Sequence, residues 1–186
     1  MNSFLEKEYP LRSNDFDLHN RILPSAILDL FQSVASEHAA LLGVGYSEML
    51  EKNLAWVMTK VKFEIITPPE KFSKVRIKTW PLKNKRVTFE REYLIYNESG
   101  EILIKGSSEW VTIDIEKRKI ASPGMIYNLS DEEFKKDKNF EGKFFKVPAF
   151  KAEGEGFLIN PAYTDFDVNG HVNNTKYADY ILNSMP

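Results

Sequence analysis

Between residues 26 and 42 the apolar side chains Ala26, Ile27, Leu30, Phe31, Val34, Ala35, Ala39, Leu41 and Leu42 recur at helical spacing, and Gly43 and Gly45 end the run. Pro24 stands where the first helical turn tolerates a missing N–H. Nearly every face of this segment carries apolar residues, so the pattern predicts a buried helix rather than a surface one. A short strand over residues 4–11 precedes it. Four strand-like runs follow, over 55–67, 74–82, 87–96 and 102–115. The first alternates Trp56, Met58, Val61, Phe63 and Ile65 with polar partners and stops at Pro68-Pro69. The second sets Val75, Ile77 and Thr79 on one side. Asn97-Glu98-Ser99-Gly100 supplies the turn after the third. The fourth has a polar middle at Gly106-Ser107-Ser108 and ends in the charged turn Glu116-Lys117-Arg118-Lys119. Runs separated by turn residues in this way predict an antiparallel meander. A long buried helix and long strands together predict an α+β fold in which a sheet wraps the helix.

Residues 123–148 break the pattern. Ser130 with Glu133 fits a capping box that could start a short helix. The charge-rich stretch 135–146 reads as a solvated linker. From Phe157 a new strand leads into Asp165-Phe166-Asp167-Val168-Asn169-Gly170-His171-Val172-Asn173-Asn174, and residues 176–182 read as a second helix.

Sliding the chain against itself by 150 positions superposes Asp15-Phe16-Asp17 on Asp165-Phe166-Asp167. It also sets Ile22 on Val172, Ser25 on Thr175 and Asp29 on Asp179. Strand, polar loop and apolar helix come in the same order both times, which predicts two copies of one fold. The division expected is 1–125 for the first copy, 126–150 for a linker and 151–186 for the start of the second. After its helix start the second copy has only about a dozen residues, against about 90 in the first, so it reads as truncated by repeat logic. Another chain pairing with its sheet edge, as in a homodimer, is one way to complete it.

The copies differ where chemistry would sit. His19, Arg21, Leu23 and Pro24 of the first face Asn169, His171, Asn173 and Asn174 of the second. An acid, an amide and an imidazole at i, i+2 and i+4 share a side when the chain is extended. A helix start just beyond them offers free N–H groups to a carbonyl oxygen that gains negative charge. The bland alternative makes Asp167 a turn residue, Asn174 a cap and His171 a surface residue. Asn173 and Asn174 read as helix-start residues rather than catalysts. The first copy keeps the scaffold without the polar set, so it reads as pocket-shaping.

Composition narrows the chemistry further. The formal net charge of −2 offers no excess of positive charge for phosphates, which argues against a nucleic-acid partner. With no cysteine, the chain has no disulfide, no thiolate metal site and no cysteine nucleophile, and His19 and His38 lack ligand-spaced neighbours. No apolar run approaches the ~20 residues of a membrane span, and residues 1–10 lack a signal core. A cytoplasmic protein is expected. Trp56, Trp80 and Trp110 read as strand residues that pack a core or line a pocket.

The string Asp165 to Leu182, with Trp56 to Lys60, Thr79-Trp80, Arg86 to Glu92 and Ser108-Glu109-Trp110-Val111, resembles the acyl-ACP thioesterases. The resemblance implies a tandem (double) hotdog fold, hydrolysis of fatty acyl-ACP to free fatty acid, acyl carrier protein as partner, and no metal or organic cofactor. It also implies that Asp167, Asn169 and His171 match the family's catalytic set, with a further acidic residue expected beyond Pro186. The base or nucleophile falls to Asp167, with the two roles unseparated. Asn169 orients water or holds the acid, His171 binds the carbonyl or shuttles a proton, and the amides of residues 172–174 are oxyanion-hole candidates. Lys83, Lys85 and Arg86 form a hairpin turn or steer an acidic carrier protein. The shorter core Asp167 to Asn174 also resembles hotdog acyl-CoA thioesterases, and a non-catalytic acyl-binding protein is the alternative from another class.

Overall fold

Strand β1 (Leu5–Pro10) leads through a single 3-10 turn (Ser13–Asp15) into helix α1 (Pro24–Leu41). The computed structural model describes residues 3–121, 126, 133–144, 146, 148, 149, 151 and 156–185. Gly43 ends α1 at φ +73°, a left-handed corner that turns the chain back so that the Val44 N–H reaches the Ala39 carbonyl at 2.9 Å. A short helix, α2 (Tyr46–Glu51), follows; its single buried side chain, Met49, leaves little apolar period to find it by. Strands β2 (Leu54–Ile65), β3 (Lys74–Pro81), β4 (Phe89–Tyr96), β5 (Ile102–Asp114) and the two-residue β6 (Lys119–Ile120) complete one antiparallel sheet.

The sheet order is β1-β3-β4-β5-β2, with β6 beside β5, so the expected meander holds only for β3 to β5. Strand β2 pairs with β5, Leu54 opposite Asp114 and Ile65 opposite Ile104. The reason lies in residues 66–73. The Ile66 and Thr67 amides both donate to the Leu103 carbonyl, at 2.8 and 3.1 Å, and the Ser73 carbonyl accepts from Leu11. The loop crosses the strand ends, and Pro68-Pro69 cannot continue a ladder.

The sheet curls round one face of α1. Phe31 stacks on Tyr93 with ring centroids 4.2 Å apart, and Ile27, Val34, Ile77, Ile95 and Ile104 close around them. Gly106 makes this approach possible: a Cβ there would lie 2.3 Å from the Phe31 ring. Beside it, Ser108 Oγ bonds both the Tyr93 hydroxyl at 2.9 Å and the Trp110 indole at 2.6 Å, which explains the polar middle of β5. Contrary to the all-buried expectation, α1 leaves Ser33, Ser36, Ala40 and Leu41 exposed. Its apolar residues exceed what one curled sheet can cover, and part of the far side meets helix α3 (Asn174–Asn183).

The charged residues at 136–138, 141, 143 and 146 are exposed, as a solvated linker requires, yet residues 133–144 are also pinned to the sheet. They cross the outer face of the sheet because that face carries a buried carboxylate needing donors. Glu92, 2% exposed, accepts from the Asn139 N–H and Ser107 Oγ, each at 3.0 Å. The Asn139 amide donates to the carbonyls of Tyr93 and Gly106, both at 2.8 Å, and the Trp80 indole to the Asp137 carbonyl at 3.0 Å. Lys138 pairs with Glu90. Burial raises the Glu92 pKa, against the pull of the Asn139 and Ser107 bonds. The predicted helix start at Ser130 lies outside the described residues. The strand expected from Phe157 does not form: residues 156–162 have no ladder partner among the described residues and reach a second 3-10 turn (Tyr163–Asp165) as irregular chain. Among the described residues no helix is long and apolar enough to cross a membrane.

Candidate active site

The 150-residue repeat extends to individual hydrogen bonds. In the first turn the Asp17 N–H donates to the Arg21 carbonyl at 2.8 Å, while Asp17 Oδ1 accepts from the His19 and Arg21 amides, both at 2.8 Å. In the second, the Asp167 N–H donates to the His171 carbonyl at 2.8 Å, and Asp167 Oδ1 accepts from the Asn169 and His171 amides at 2.8 and 3.1 Å. Both turns close on a bridge, Phe16 with Ile22 and Phe166 with Val172. Their left-handed corners are Asn20 at φ 58° and Gly170 at φ 73°. The segment is therefore a tight turn, not an extended run, because the Asp167 carboxylate folds back onto its own loop.

That geometry separates the three predicted residues. Asp167 and Asn169 border a cavity of about 370 Å³, whereas His171 is exposed and not among the residues that line it. The copies also differ at the second carboxylate oxygen. Asp17 Oδ2 is held by Arg21 Nε at 2.8 Å; with His171 in the matching place, Asp167 Oδ2 has no partner among the described residues. Hydrogen bonds to the Arg21 amide, then those to the Arg21 side chain and the His19 amide, hold the Asp17 pKa down.

The next residues start α3. Asn173 is its N-cap, its side-chain oxygen accepting from Thr175 N–H and Oγ1 at 3.0 Å each. In the first copy Leu23 occupies that position with no side-chain bond. The Asn173 N–H is committed to the Asp165 carbonyl at 2.8 Å. Of the three candidate oxyanion donors this leaves the amides of Val172 and Asn174, and Asn174 lines the cavity. Tyr180, one helical stretch on, donates to Asp165 Oδ2 at 2.7 Å and holds the turn against α3. Helices α1 and α3 pack so that Asp29 feels both Lys176 and Asp179; its pKa is raised, chiefly by desolvation.

The first copy supplies the other cavity walls. Trp56 and Trp110 both line it, with Met49, Leu50 and Leu54, while Trp80 is buried on the outer face. The Trp56 indole donates to the Val44 carbonyl at 2.9 Å and its ring meets Phe89 edge-on. Four polar residues of the same wall were not singled out in the sequence reading: Gln32 and Ser36 of α1, Tyr46 of α2 and Arg91 of β4. Arg91, 4% exposed, donates through Nη1 to His38 Nδ1 at 3.0 Å and Thr79 Oγ1 at 3.2 Å. Because a guanidinium only donates, it holds His38 Nδ1 as an acceptor. The signal was present: Arg91 falls on the side of β4 where Phe89, Tyr93 and Ile95 are buried. Of the hairpin cations, Lys85 pairs with Glu90 at 3.1 Å, and Arg86 is exposed at φ 51°.

A cavity with Trp56, Trp110, Met49, Leu50 and Leu54 in its wall and Asp167 and a helix start at its border suits an apolar chain ending in a polarised carbonyl. Comparison with known proteins supplies the family. Residues 2–123 match the model of the acyl-ACP thioesterase N-terminal domain, and residues 151–186 that of the C-terminal domain. The chain is 30% identical over 195 residues to the chloroplastic palmitoyl-acyl carrier protein thioesterase of Gossypium hirsutum, covering 97% of this chain and 46% of the relative. It thus spans about half that protein's length. The structure of an acyl-ACP thioesterase from Bacteroides thetaiotaomicron superposes with a TM-score of 0.83 at 22% identity, covering 100% of this chain and 74% of the other. A DHNA-CoA thioesterase from Staphylococcus aureus covers only 64% of this chain, at a TM-score of 0.59 and 24% identity. The fold is an α+β hotdog, a curled antiparallel sheet around a helix.

Proposed function

Because the chain belongs to the acyl-ACP thioesterase family, we propose that it hydrolyses fatty acyl-ACP to free fatty acid and carrier protein in the cytoplasm, with residues 1–125 shaping the acyl pocket and 151–186 bringing the reactive turn. The observation that carries this reading is the release of Asp167 Oδ2 at the cavity border, where the matching oxygen of Asp17 is tied to Arg21. The acyl chain lies along Trp56, Trp110 and Leu54 with its thioester carbonyl at the start of α3. Asp167 Oδ2 takes the proton of an attacking water, or itself attacks the carbonyl carbon to give a mixed anhydride that water then cleaves to the free acid and the restored carboxylate. The Asn174 amide at the helix start stabilises the oxyanion as the thiolate of the carrier leaves. Asn169 orients the water. His171, one turn corner away, supplies a proton to the leaving sulfur when the carrier's arm covers the turn.

Thiol release from acyl-ACP and matched acyl-CoA tests the proposal. Faster release from acyl-ACP, lost in Asp167→Ala, is expected. A preference for acyl-CoA would move the activity to the coenzyme A class, and no release from either would overturn the proposal in favour of acyl binding alone.

A further inference from the structure

Two hydrogen-bond donors stand in the cavity wall incompletely partnered: one lacks an anionic partner, the other any acceptor among the described residues. The Arg91 guanidinium is 4% exposed, and its two partners, His38 Nδ1 and Thr79 Oγ1, carry no negative charge. It forms no salt bridge among the described residues. Gln32 Nε2 is buried and has no hydrogen-bond partner among the described residues. Both residues line the same cavity as Asp167, although one comes from β4 and the other from α1. Solvent entering the cavity can serve the guanidinium, and the Gln32 amide once its side chain turns toward the cavity, but a plain hydrocarbon chain that displaces that solvent cannot. Each buried donor left unserved then costs the complex affinity, most for the charged one.

We propose that Arg91 and Gln32 form a polar subsite for an acceptor oxygen carried by the acyl ligand. This inference rests on reading the cavity as the acyl site. The oxygen has two possible sources with the same chemistry: a hydroxyl or oxo group along the chain, or the carboxyl head of the released fatty acid. The uncompensated guanidinium favours a polarised or anionic oxygen in either case.

Trp56 and Trp110 line the cavity, so their fluorescence reads binding without turnover. The probes, at one chain length, are a saturated fatty acid methyl ester, the methyl ester of its chain-hydroxylated counterpart, and the free acid. The hydroxylated ester should bind about tenfold or more tightly than the plain ester, the worth of a charge-assisted hydrogen bond. In Arg91→Met and in Gln32→Leu that advantage should fall to about twofold or less. An advantage of the free acid instead, lost in both variants, supports the subsite and identifies the carboxyl head as its ligand. Equal binding of all three probes, or an advantage that survives both substitutions, overturns the subsite while leaving the acyl cavity standing. Binding of none removes the acyl reading and this inference together. Arg91→Met takes the donor from buried His38 Nδ1 and Thr79 Oγ1, so its melting temperature is measured first; Gln32→Leu, which removes an amide nitrogen with no partner among the described residues, decides the test by itself if Arg91→Met does not fold.

Discussion

The turns at residues 15–24 and 165–174 have one backbone and two side-chain sets. Each closes on an aspartate that accepts two amides of its own loop, and each has a left-handed corner before its bridge. The first spends both carboxylate oxygens on itself, through Arg21, and starts its helix with an apolar residue and a proline. The second leaves one oxygen uncommitted beside a cavity and starts its helix with an asparagine cap. The lesson is that the conserved turn geometry belongs to the scaffold. On the proposed reading, reactivity depends on which atoms that scaffold leaves unpaired.

The sharpest way to break the comparison is the same substitution in both turns. Asn keeps the Oδ1 acceptor and removes the charge. Asp167→Asn should lower acyl-ACP hydrolysis by about 10²–10⁴-fold, the range for a lost general base. Asp17→Asn should leave turnover within about twofold, since its charge serves a surface pair. Equal losses would make the two aspartates structural alike.

Transplanting the pair comes next. His171→Arg recreates the geometry of Arg21 and should tie down Asp167 Oδ2, lowering turnover by about 10²-fold, the smaller end of the acid–base range, without lowering the melting temperature. Arg21→His should release Asp17 and confer no activity, because no cavity residue is supplied. Retained turnover in His171→Arg would detach catalysis from that oxygen.

Smaller effects separate the turns as folding units. Gly170→Ala places a Cβ at φ 73° and should cost about 1–2 kcal/mol in chemical denaturation. Asn20→Gly, at the matching corner, should be neutral or slightly stabilising. Asn173→Ala removes the α3 cap and should cost about 1 kcal/mol, read as faster amide exchange in the first turn of α3.

The weakest effect is one of pH. The Tyr180 hydroxyl, then the Ala162 amide, hold the Asp165 pKa below 3.8. A lowered carboxylate pKa contributes stability above the unfolded value, and that contribution is lost as pH falls through the folded one. Tyr180→Phe should return the Asp165 pKa toward 3.8 in a carbon-detected NMR titration and shrink the acid-induced loosening of the second turn. An unchanged titration would mean that the Ala162 amide and Lys176 set it without Tyr180.

Much of the fold was legible because periodicity is local. The α1 run and the four long strands stand within two or three residues of their expected positions, for burial on one side imposes the alternation. The meander failed since strand order depends on where loop 66–73 crosses, a contact between Leu103 and residues far along the chain. The anchoring of residues 133–144 was not legible from their lysines, because only the folded sheet shows that Glu92 needs the Asn139 amide. At the site, the type and spacing of Asp167, Asn169 and His171 were visible, and so were the alternatives of Asp167 as a turn residue and His171 as a surface one, but not which arrangement forms. Period-2 geometry does not apply in a turn, so Asn169 borders the cavity and His171 does not.

From residues alone followed the helix-in-sheet class, the 150-residue repeat and the location of the polar set in its second copy. These depend on chemical type at fixed spacing along one chain. Tertiary structure decided which oxygen of which aspartate is left uncommitted, which tryptophans face the cavity, and that Arg91 and Gln32 face it too. The first depends on how a short turn folds back on its own side chains, the others on which distant side chains meet. Position 91 alternates in step with Tyr93 whether its neighbour across the core is a carboxylate or His38, and only the packing of α1 on β4 determines which it meets.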